Sequence, residues 1–112
     1  MIVNMTQGEY EMRVRRQESF LLAQDGQFLG MLSSNRYQID SVLNEYGSYG
    51  SKYSSTSIFN QYGNYGSRFG QYSNPPQVIY RGQWVGYLST NTFLQNRIDS
   101  HQLIDWIYDN GL

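Results

Sequence analysis

The chain has 112 residues and a formal net charge of −1, from 8 basic and 9 acidic residues. This length fits a single domain. The balanced charge excludes the basic surface that a nucleic-acid backbone or an anionic membrane requires, so we expect no nucleic-acid or membrane partner.

Polar neutral residues dominate the composition. Charged residues make up 15% of the chain, and there are 11 tyrosines but no cysteine, which excludes disulfides and thiol chemistry. No run of 18 apolar residues is present, and residues 1–8 lack the basic and apolar regions of a signal peptide. We therefore expect a cytoplasmic protein.

The N-terminal segment is polar and irregular. Residues 1–12 predict a loose arm or a short edge strand. Charges of both signs follow, at Glu11, Arg13, Arg15, Arg16 and Glu18. We interpret these charges as a solvated strand face, and the alternative is an anion-binding site.

Residues 20–35 predict a β-hairpin. Residues 20–23 form the apolar first strand, and residues 27–32 form the return strand. Between them lies Asp25-Gly26, a pair typical of the type I′ turn, which needs positive φ at both central residues.

Residues 78–91 predict a second hairpin of the same kind, with an Arg-Gly turn at 81–82. It repeats residues 22–35 with identical residues at six of 14 positions. Each return strand contains a glycine, Gly30 or Gly86, which weakens a strand unless another group approaches closely. We expect a bulge there, or an aromatic ring from the tyrosine-rich region lying over the backbone.

Two short helices are predicted from apolar residues at helical spacing, one at 37–43 and one at 100–109. Asp99 or Ser100 can cap the second helix. An Asn-Pro-Pro connector at 74–76 leads into the second hairpin and restricts the backbone before it.

The central feature is a phrase that occurs twice within residues 44–73. Residues 44–53 (NEYGSYGSKY) and residues 60–69 (NQYGNYGSRF) are identical at six of ten positions, at a spacing of 16 residues. Their aromatic residues recur every three or four positions, as on a helix, but two glycines per turn cost about 2 kcal/mol of helix propensity. The regular period favours ordered turns. The alternative is a disordered, association-prone tract.

Ordered loops rich in Tyr, Gly, Ser and Asn suit two roles. Their rings can form the core of a chain with few aliphatic residues, which is our first interpretation. They can also form a binding surface for a sugar, a peptide or a protein. Lys52 and Arg68 occupy equivalent positions in the two phrases, where each can bind an anion, lie over a Tyr ring or face water.

Catalysis and metal binding have little support in the sequence. His101 is the single histidine and lies at a predicted helix start, and neither metal-ligand spacing nor a nucleophilic serine motif occurs. We therefore expect no enzymatic activity, no metal and no cofactor.

The repeated phrase resembles a group of small bacterial proteins. These proteins share a duplicated Tyr-Gly-x-Tyr-Gly-Ser phrase, here at 46–51 and 62–67, a Pro-Pro pair, and a Gly-x-x-x-Gly-Tyr-Leu strand, here at 82–88. The resemblance covers residues 20–95 and implies a regular fold but no particular activity. This chain departs from the group's repeat at residues 70–72 (Gly-Gln-Tyr), where the first copy has Ser-Ser-Thr at 54–56. The second hairpin is also similar to the repeated hairpins of 4-fold beta flower proteins.

Together these features predict one β-rich α+β domain. Two similar hairpins form the sheet and flank the tyrosine-rich segment, and a short C-terminal helix covers one face. We expect a non-enzymatic interaction or scaffold module that associates with itself, or with another protein, through an aromatic surface. The residues predicted for this surface are Tyr46, Tyr62, Trp84 and Tyr87.

The alternative function is small-ligand binding, with a carbohydrate, an anion or a nucleotide as the ligand. It predicts a concave pocket where the two phrases meet. The residues predicted to bind the ligand are Tyr49, Lys52, Tyr65 and Arg68.

Overall fold

The computed structural model describes residues 5–112, apart from the side chains of residues 68–70. The helices and strands within this range are α1 (Gln7–Arg15), β1 (Phe20–Leu22), β2 (Phe28–Met31), α2 (Arg68–Ser73), β3 (Gln77–Tyr80), β4 (Gln83–Leu88), β5 (Arg97–Ile98), a 3-10 helix (Ser100–Gln102) and α3 (Leu103–Asp109). The fold is therefore α+β and β-rich, as predicted, and its last helix lies at the predicted position.

The strands form a mixed sheet in the order β2-β1-β3-β4-β5. β1 pairs with β2 to form the first predicted hairpin, and β3 pairs with β4 to form the second. The two hairpins join through antiparallel pairing of β1 with β3, and β5 adds in parallel to β4. The prediction of a sheet built from two hairpins is confirmed.

The two hairpins hold equivalent places about the centre of the sheet. Leu21 pairs with Val78, and Leu22 pairs with Gln77. At the 56-residue spacing of the hairpins, Leu22 corresponds to Val78 and Leu21 corresponds to Gln77. Exchanging the two hairpins therefore leaves the central pairing unchanged.

The two hairpin turns differ in conformation. Arg81 and Gly82 both have positive φ, of 50° and 81°, as a type I′ turn requires. The first hairpin instead closes with a three-residue loop, 24–26, in which Gly26 has positive φ (92°) and Asp25 does not. The type I′ prediction for this hairpin is therefore wrong. Asp25 is held by its own carboxylate, which accepts a hydrogen bond from the backbone N–H two residues on (3.0 Å).

Both return strands contain a register shift beside the predicted glycine. At Gly30 (φ +111°) an added Cβ would lie 2.7 Å from Cβ of Tyr49, so a tyrosine of the repeated phrase does approach this backbone. At Gly86 the neighbour is the carbonyl oxygen of Asn96 instead, and a Cβ there would collide with it. Close approach thus explains both glycines.

Helix α1 occupies a segment that we predicted as an arm. The side chain of Thr6 caps the helix by accepting a hydrogen bond from the N–H of Glu9 (3.1 Å). The prediction of a loose arm over residues 1–12 is therefore wrong from Gln7 onward, and residues 1–4 lie outside the described part of the chain. No helix within the described residues is long and apolar enough to cross a membrane.

The charges around α1 belong to a helix surface and not to a strand face. The ion pairs are Arg13–Glu18 at 2.7 Å, Arg15–Glu11 at 3.9 Å and Arg16–Glu18 at 4.0 Å. The guanidinium of Arg13 also lies 4.1 Å from the ring centroid of Phe28, which ties the helix to the sheet.

The sheet separates two apolar clusters, because successive side chains of a strand point to opposite faces. On one face, α1 covers a small cluster built on Phe20, Phe28 and Ile79. On the other face, α3 and the tyrosine-rich segment cover the main core. Its members include Leu21, Leu29, Leu32, Val42, Leu43, Ile58, Val78, Leu88, Leu103 and Ile107.

Candidate functional site

Residues 35–67 form a continuous series of tight turns, here called the turn coil. The last residue of each turn is the first residue of the next. After Asn35, where the coil begins, the N–H and the C=O of each such residue therefore both take part in turn hydrogen bonds. These corner residues are Asn35, Gln38, Ser41, Asn44, Gly47, Ser51, Ser54, Ser57, Asn60, Gly63 and Ser67. Most steps between corners span three residues, and the steps that begin at Gly47 and Gly63 span four. Steps of three, four, three, three and three residues add up to the 16-residue period.

Side chains of the corner residues hold the coil in place. The side-chain oxygen of Asn44 accepts from the N–H of Tyr46 (3.0 Å), and its amide donates to the carbonyl of Gln38 (3.1 Å). Asn60 makes the equivalent pair of bonds in the second phrase, at 3.0 Å each. Such side-chain bonds offer the backbone an alternative to a helix.

The helix predicted at 37–43 is therefore wrong. The hydroxyl of Ser41 accepts from the N–H of Leu43 (3.0 Å), which closes a turn where a helix would need the carbonyl of Ile39. Val42 and Leu43 still enter the core, but Ile39 is exposed. The apolar spacing thus reflects successive turns.

The coil directs its tyrosines in two ways. Tyr46 and Tyr62 follow an asparagine corner by two residues, and their side chains are 98% and 97% exposed. Tyr49 and Tyr65 lie within the four-residue steps and point toward the sheet. The repeated phrase is therefore partly surface and partly core.

Tyr65 belongs to the main core, where only 7% of its surface is exposed. Its hydroxyl donates a 2.7 Å hydrogen bond to the carboxylate of Asp25 at the tip of the first hairpin. Burial raises the pKa of Tyr65 to about 12, and the bond to Asp25 and the charge of Asp25 act in the same direction. This phenol is a structural group that stays protonated at neutral pH.

Tyr49 packs against the smaller cluster. Its ring meets the ring of Phe28 edge-on, with centroids 5.1 Å apart. Burial raises the pKa of its hydroxyl above the ordinary value, Arg13 opposes that shift, and Asp40 adds to it. Tyr49 therefore fixes the coil to the face of the sheet that α1 covers.

The outward tyrosines border two adjoining surface depressions, here called the tyrosine groove. The first has a volume of about 390 Å³ and is lined by Tyr46, Lys52, Tyr53 and Phe59. The second, of about 420 Å³, shares Lys52, Tyr53 and Phe59 with the first and adds Tyr62. The groove thus runs from the first phrase to the start of the second.

The residues predicted to bind a ligand lie in different parts of the structure. Lys52 is exposed at the tyrosine groove. Tyr49 is partly buried against the smaller cluster, and Tyr65 is a core residue that borders a separate depression of about 590 Å³ beside Asp25. The side chain of Arg68 lies outside the described part of the chain. The predicted set is therefore not gathered in one pocket, because the two inward tyrosines anchor the coil.

The residues predicted for an interaction surface fall into two places. Tyr46 and Tyr62 border the groove. Trp84 and Tyr87 lie on β4, where their rings meet edge-on with centroids 5.3 Å apart. Trp84 is partly exposed and Tyr87 less so.

Sequence reasoning missed Tyr53 as a surface residue. Its N–H bonds to the hydroxyl of Ser51 (3.1 Å), and its ring is 92% exposed. The same geometry holds at Tyr37 and Phe93, whose N–H groups bond to the side chains of Asn35 and Asn91 (3.0 Å each). The signal that could have found Tyr37 and Phe93 is an Asn two residues before the aromatic residue. A Ser at that position does not distinguish the two cases, because the N–H of Phe59 bonds to Ser57 in the same way and Phe59 is partly buried.

Within the described residues, no three His, Asp or Glu side chains come close enough to hold a metal ion. His101 is exposed in the 3-10 helix, where its N–H bonds to the carboxylate of Asp99 (2.9 Å).

Comparisons with known proteins give no relative for this chain: no family model, no curated protein and no solved structure matches it.

Proposed function

We propose that this protein is a non-enzymatic interaction module that associates with copies of itself through exposed aromatic rings. The observation that carries this proposal is the exposure of Tyr37, Tyr46, Tyr53, Tyr62 and Phe93, each of which is at least 92% exposed. These rings project from turns whose hydrogen bonds fix the backbone beneath them.

Exposed rings of this kind gain free energy when a partner covers them. One aromatic side chain buries about 150–250 Å², and each Å² of apolar surface removed from water contributes roughly 25 cal/mol. Phe93 has no polar group that would favour contact with water. Its counterpart at the 56-residue spacing, Tyr37, is equally exposed at 94%.

The low charge of the chain also favours association between copies. A net charge of −1 provides little electrostatic repulsion between identical molecules. A rigid backbone under each ring lowers the entropy lost on association, because the loops are already ordered.

The test is the solution mass by light scattering from micromolar to millimolar concentration. We expect the mass to rise with concentration, and a variant with Tyr37, Tyr46, Tyr62 and Phe93 all changed to Ser to remain monomeric and folded by circular dichroism. The matched control, Thr92→Ser with Gln95→Ser, alters exposed positions beside Phe93 that do not border the tyrosine groove, and it should associate normally. A chain that is monomeric throughout this range would contradict the proposal.

A second candidate function is binding of a small ligand, such as a carbohydrate, an anion or a nucleotide. It is favoured by the first depression of the groove, whose volume of about 390 Å³ lies within the usual range for ligand sites. Thermal stabilisation by oligosaccharides and nucleotides, lost in Lys52→Ala, is the expected result for this function. Absence of stabilisation by every compound in such a panel would count against it.

A further inference from the structure

The tyrosine groove contains charged side chains that have no partner in the described part of the chain. Seven of the 8 basic residues have described side chains. Five of these have a partner: Arg13, Arg15, Arg16 and Arg97 form ion pairs, and Arg81 lies over the ring of Tyr80. The remaining two, Arg36 and Lys52, both border the groove.

Glu45 borders the same depression and likewise has no ion pair among the described residues. Arg36, Glu45 and Lys52 are all exposed. One surface therefore carries unpaired charges of both signs, whereas the charges around α1 are largely neutralised within the molecule. Unpaired charges of both signs on one patch can pair between two copies of that patch.

The shape of the groove is also complementary to itself. Tyr53 borders both depressions and is 92% exposed, so its ring stands between two hollows. A surface with a projecting ring and a hollow beside it can pack against its own copy. A twofold dimer requires such self-complementarity. If residue i of the first copy contacts residue j of the second, then residue j of the first copy also contacts residue i of the second.

The available area is close to what a stable dimer needs. Burial of the rings of Tyr46, Tyr53 and Tyr62 would remove about 450–750 Å² from water on each copy. A standard interface buries about 800 Å² on each partner. The stems of the flanking charged side chains can supply the rest.

We infer that the tyrosine groove is the contact surface of a twofold dimer, in which Glu45 of one copy faces the cations Arg36 and Lys52 of the other. This inference rests on the proposed self-association, to which it adds the surface and the charge pairing. The tyrosine rings supply the affinity, and the charges fix how the two copies are oriented.

The experiment uses two full-length variants with opposite charge in the groove. The positive variant is Glu45→Lys, and the negative variant is Arg36→Glu combined with Lys52→Glu. Each variant alone places like charges across the interface, so we expect its dimer dissociation constant to rise about tenfold or more. Equal amounts of the two variants should form a mixed dimer with an affinity at least equal to that of the parent chain. Sedimentation and light scattering measure the dissociation constant of each variant dimer and that of the mixed dimer.

Charge change elsewhere provides the control. Glu9→Lys alters an exposed glutamate of α1 that has no ion pair among the described residues, and it should leave dimerisation unchanged. Circular dichroism verifies that the variants are folded, which their exposed positions lead us to expect.

The outcomes separate the two proposals. A parent chain that dimerises while both groove variants dimerise equally well overturns the groove as the interface and leaves self-association standing. Loss of dimers in each variant without recovery in the mixture overturns the charge pairing. A parent chain that stays monomeric overturns the inference together with the proposed function.

Discussion

Tyr49 and Tyr65 hold the same place in the two copies of the repeated phrase, yet they reach opposite faces of the sheet. Tyr49 packs on the cluster that α1 covers, and Tyr65 enters the main core. The hydrogen bonds of the coil around them are equivalent. The local pattern therefore determines that each ring points inward, whereas the two rings meet different parts of the first hairpin: Tyr49 contacts Phe28 of β2, and Tyr65 bonds to Asp25 at the hairpin tip.

Alanine substitution of the two glycines that follow these tyrosines should disrupt the turns that the two phrases share more than any other change. A Cβ at Gly50 would collide with the carbonyl oxygen of Asn44, and a Cβ at Gly66 would collide with that of Asn60. We expect Gly50→Ala and Gly66→Ala each to lower the free energy of unfolding by about 4 kcal/mol or more, because backbone atoms cannot move aside. Urea unfolding measures this loss.

The first glycine of the second phrase, Gly63, serves as the matched control. At Gly63 the nearest atom to an added Cβ is a side-chain nitrogen at 3.3 Å, so Gly63→Ala should cost less than about 1 kcal/mol. At Gly47 the carbonyl oxygen of Ile39 lies at 2.8 Å, and the cost should be larger. Equal effects of alanine at all four glycines would contradict this account of the coil.

Removing each inward ring measures how much it contributes to stability in its own cluster. Tyr65→Ala empties a site in the main core and leaves Asp25 without its hydroxyl donor, so we expect a loss of about 3–5 kcal/mol. Tyr49 is only partly buried, and Tyr49→Ala should cost about 1–3 kcal/mol. Calorimetric or urea unfolding measures both values, and a larger loss at Tyr49 would reverse our ranking.

High pH should destabilise the folded chain by deprotonating the core tyrosine, Tyr65. The pKa of Tyr65 is raised from 10.0 to about 12, so the unfolded chain loses this proton at lower pH than the folded chain. The corresponding stability is complete below pH 10 and is lost as the pH rises through about 12. The loss is roughly 2–3 kcal/mol.

Urea unfolding at a series of pH values from 8 to 12 measures this decline. Tyr65→Phe lacks the ionisable hydroxyl, so its stability should fall less over the same interval. An identical decline in Tyr65→Phe and in the parent chain would rule out Tyr65 as its source.

The corner asparagines should give a smaller effect of equal size in the two phrases. Asn44→Ala and Asn60→Ala each remove one accepted and one donated hydrogen bond. We expect each substitution to cost about 1–2 kcal/mol in thermal or urea unfolding. A marked difference between the two would show that the phrases are not equivalent at their corners.

Much of the sheet could be predicted from the sequence, because its signals are local. Apolar runs with an Asp-Gly or Arg-Gly turn defined both hairpins, and apolar spacing defined α3. Helix α1 was missed because it buries none of its residues and so lacks an apolar stripe. Its one signal is the Thr6–Glu9 spacing of a capping box.

The candidate site could be predicted only in part. Tyr46 and Tyr62 were assigned to a surface, and both are exposed. Tyr49 and Tyr65 were assigned to a ligand site, although spacing alone cannot distinguish them from the outward rings. A tyrosine in a four-residue step points inward, and one in a three-residue step points outward. Steps of mixed length do not produce the constant spacing by which a helix or a strand is predicted from sequence.

The turn coil also bears on how fast the chain folds. The pairing of β1 with β3 joins residues such as Leu21 and Val78, which are far apart in sequence. Closing a flexible loop of that length is entropically costly, and such distant pairings slow folding. Each hydrogen bond of the coil closes over three or four residues and needs no distant partner. A coil that forms early shortens the tether between the two hairpins, so substitutions that weaken its corners should slow folding more than they speed unfolding.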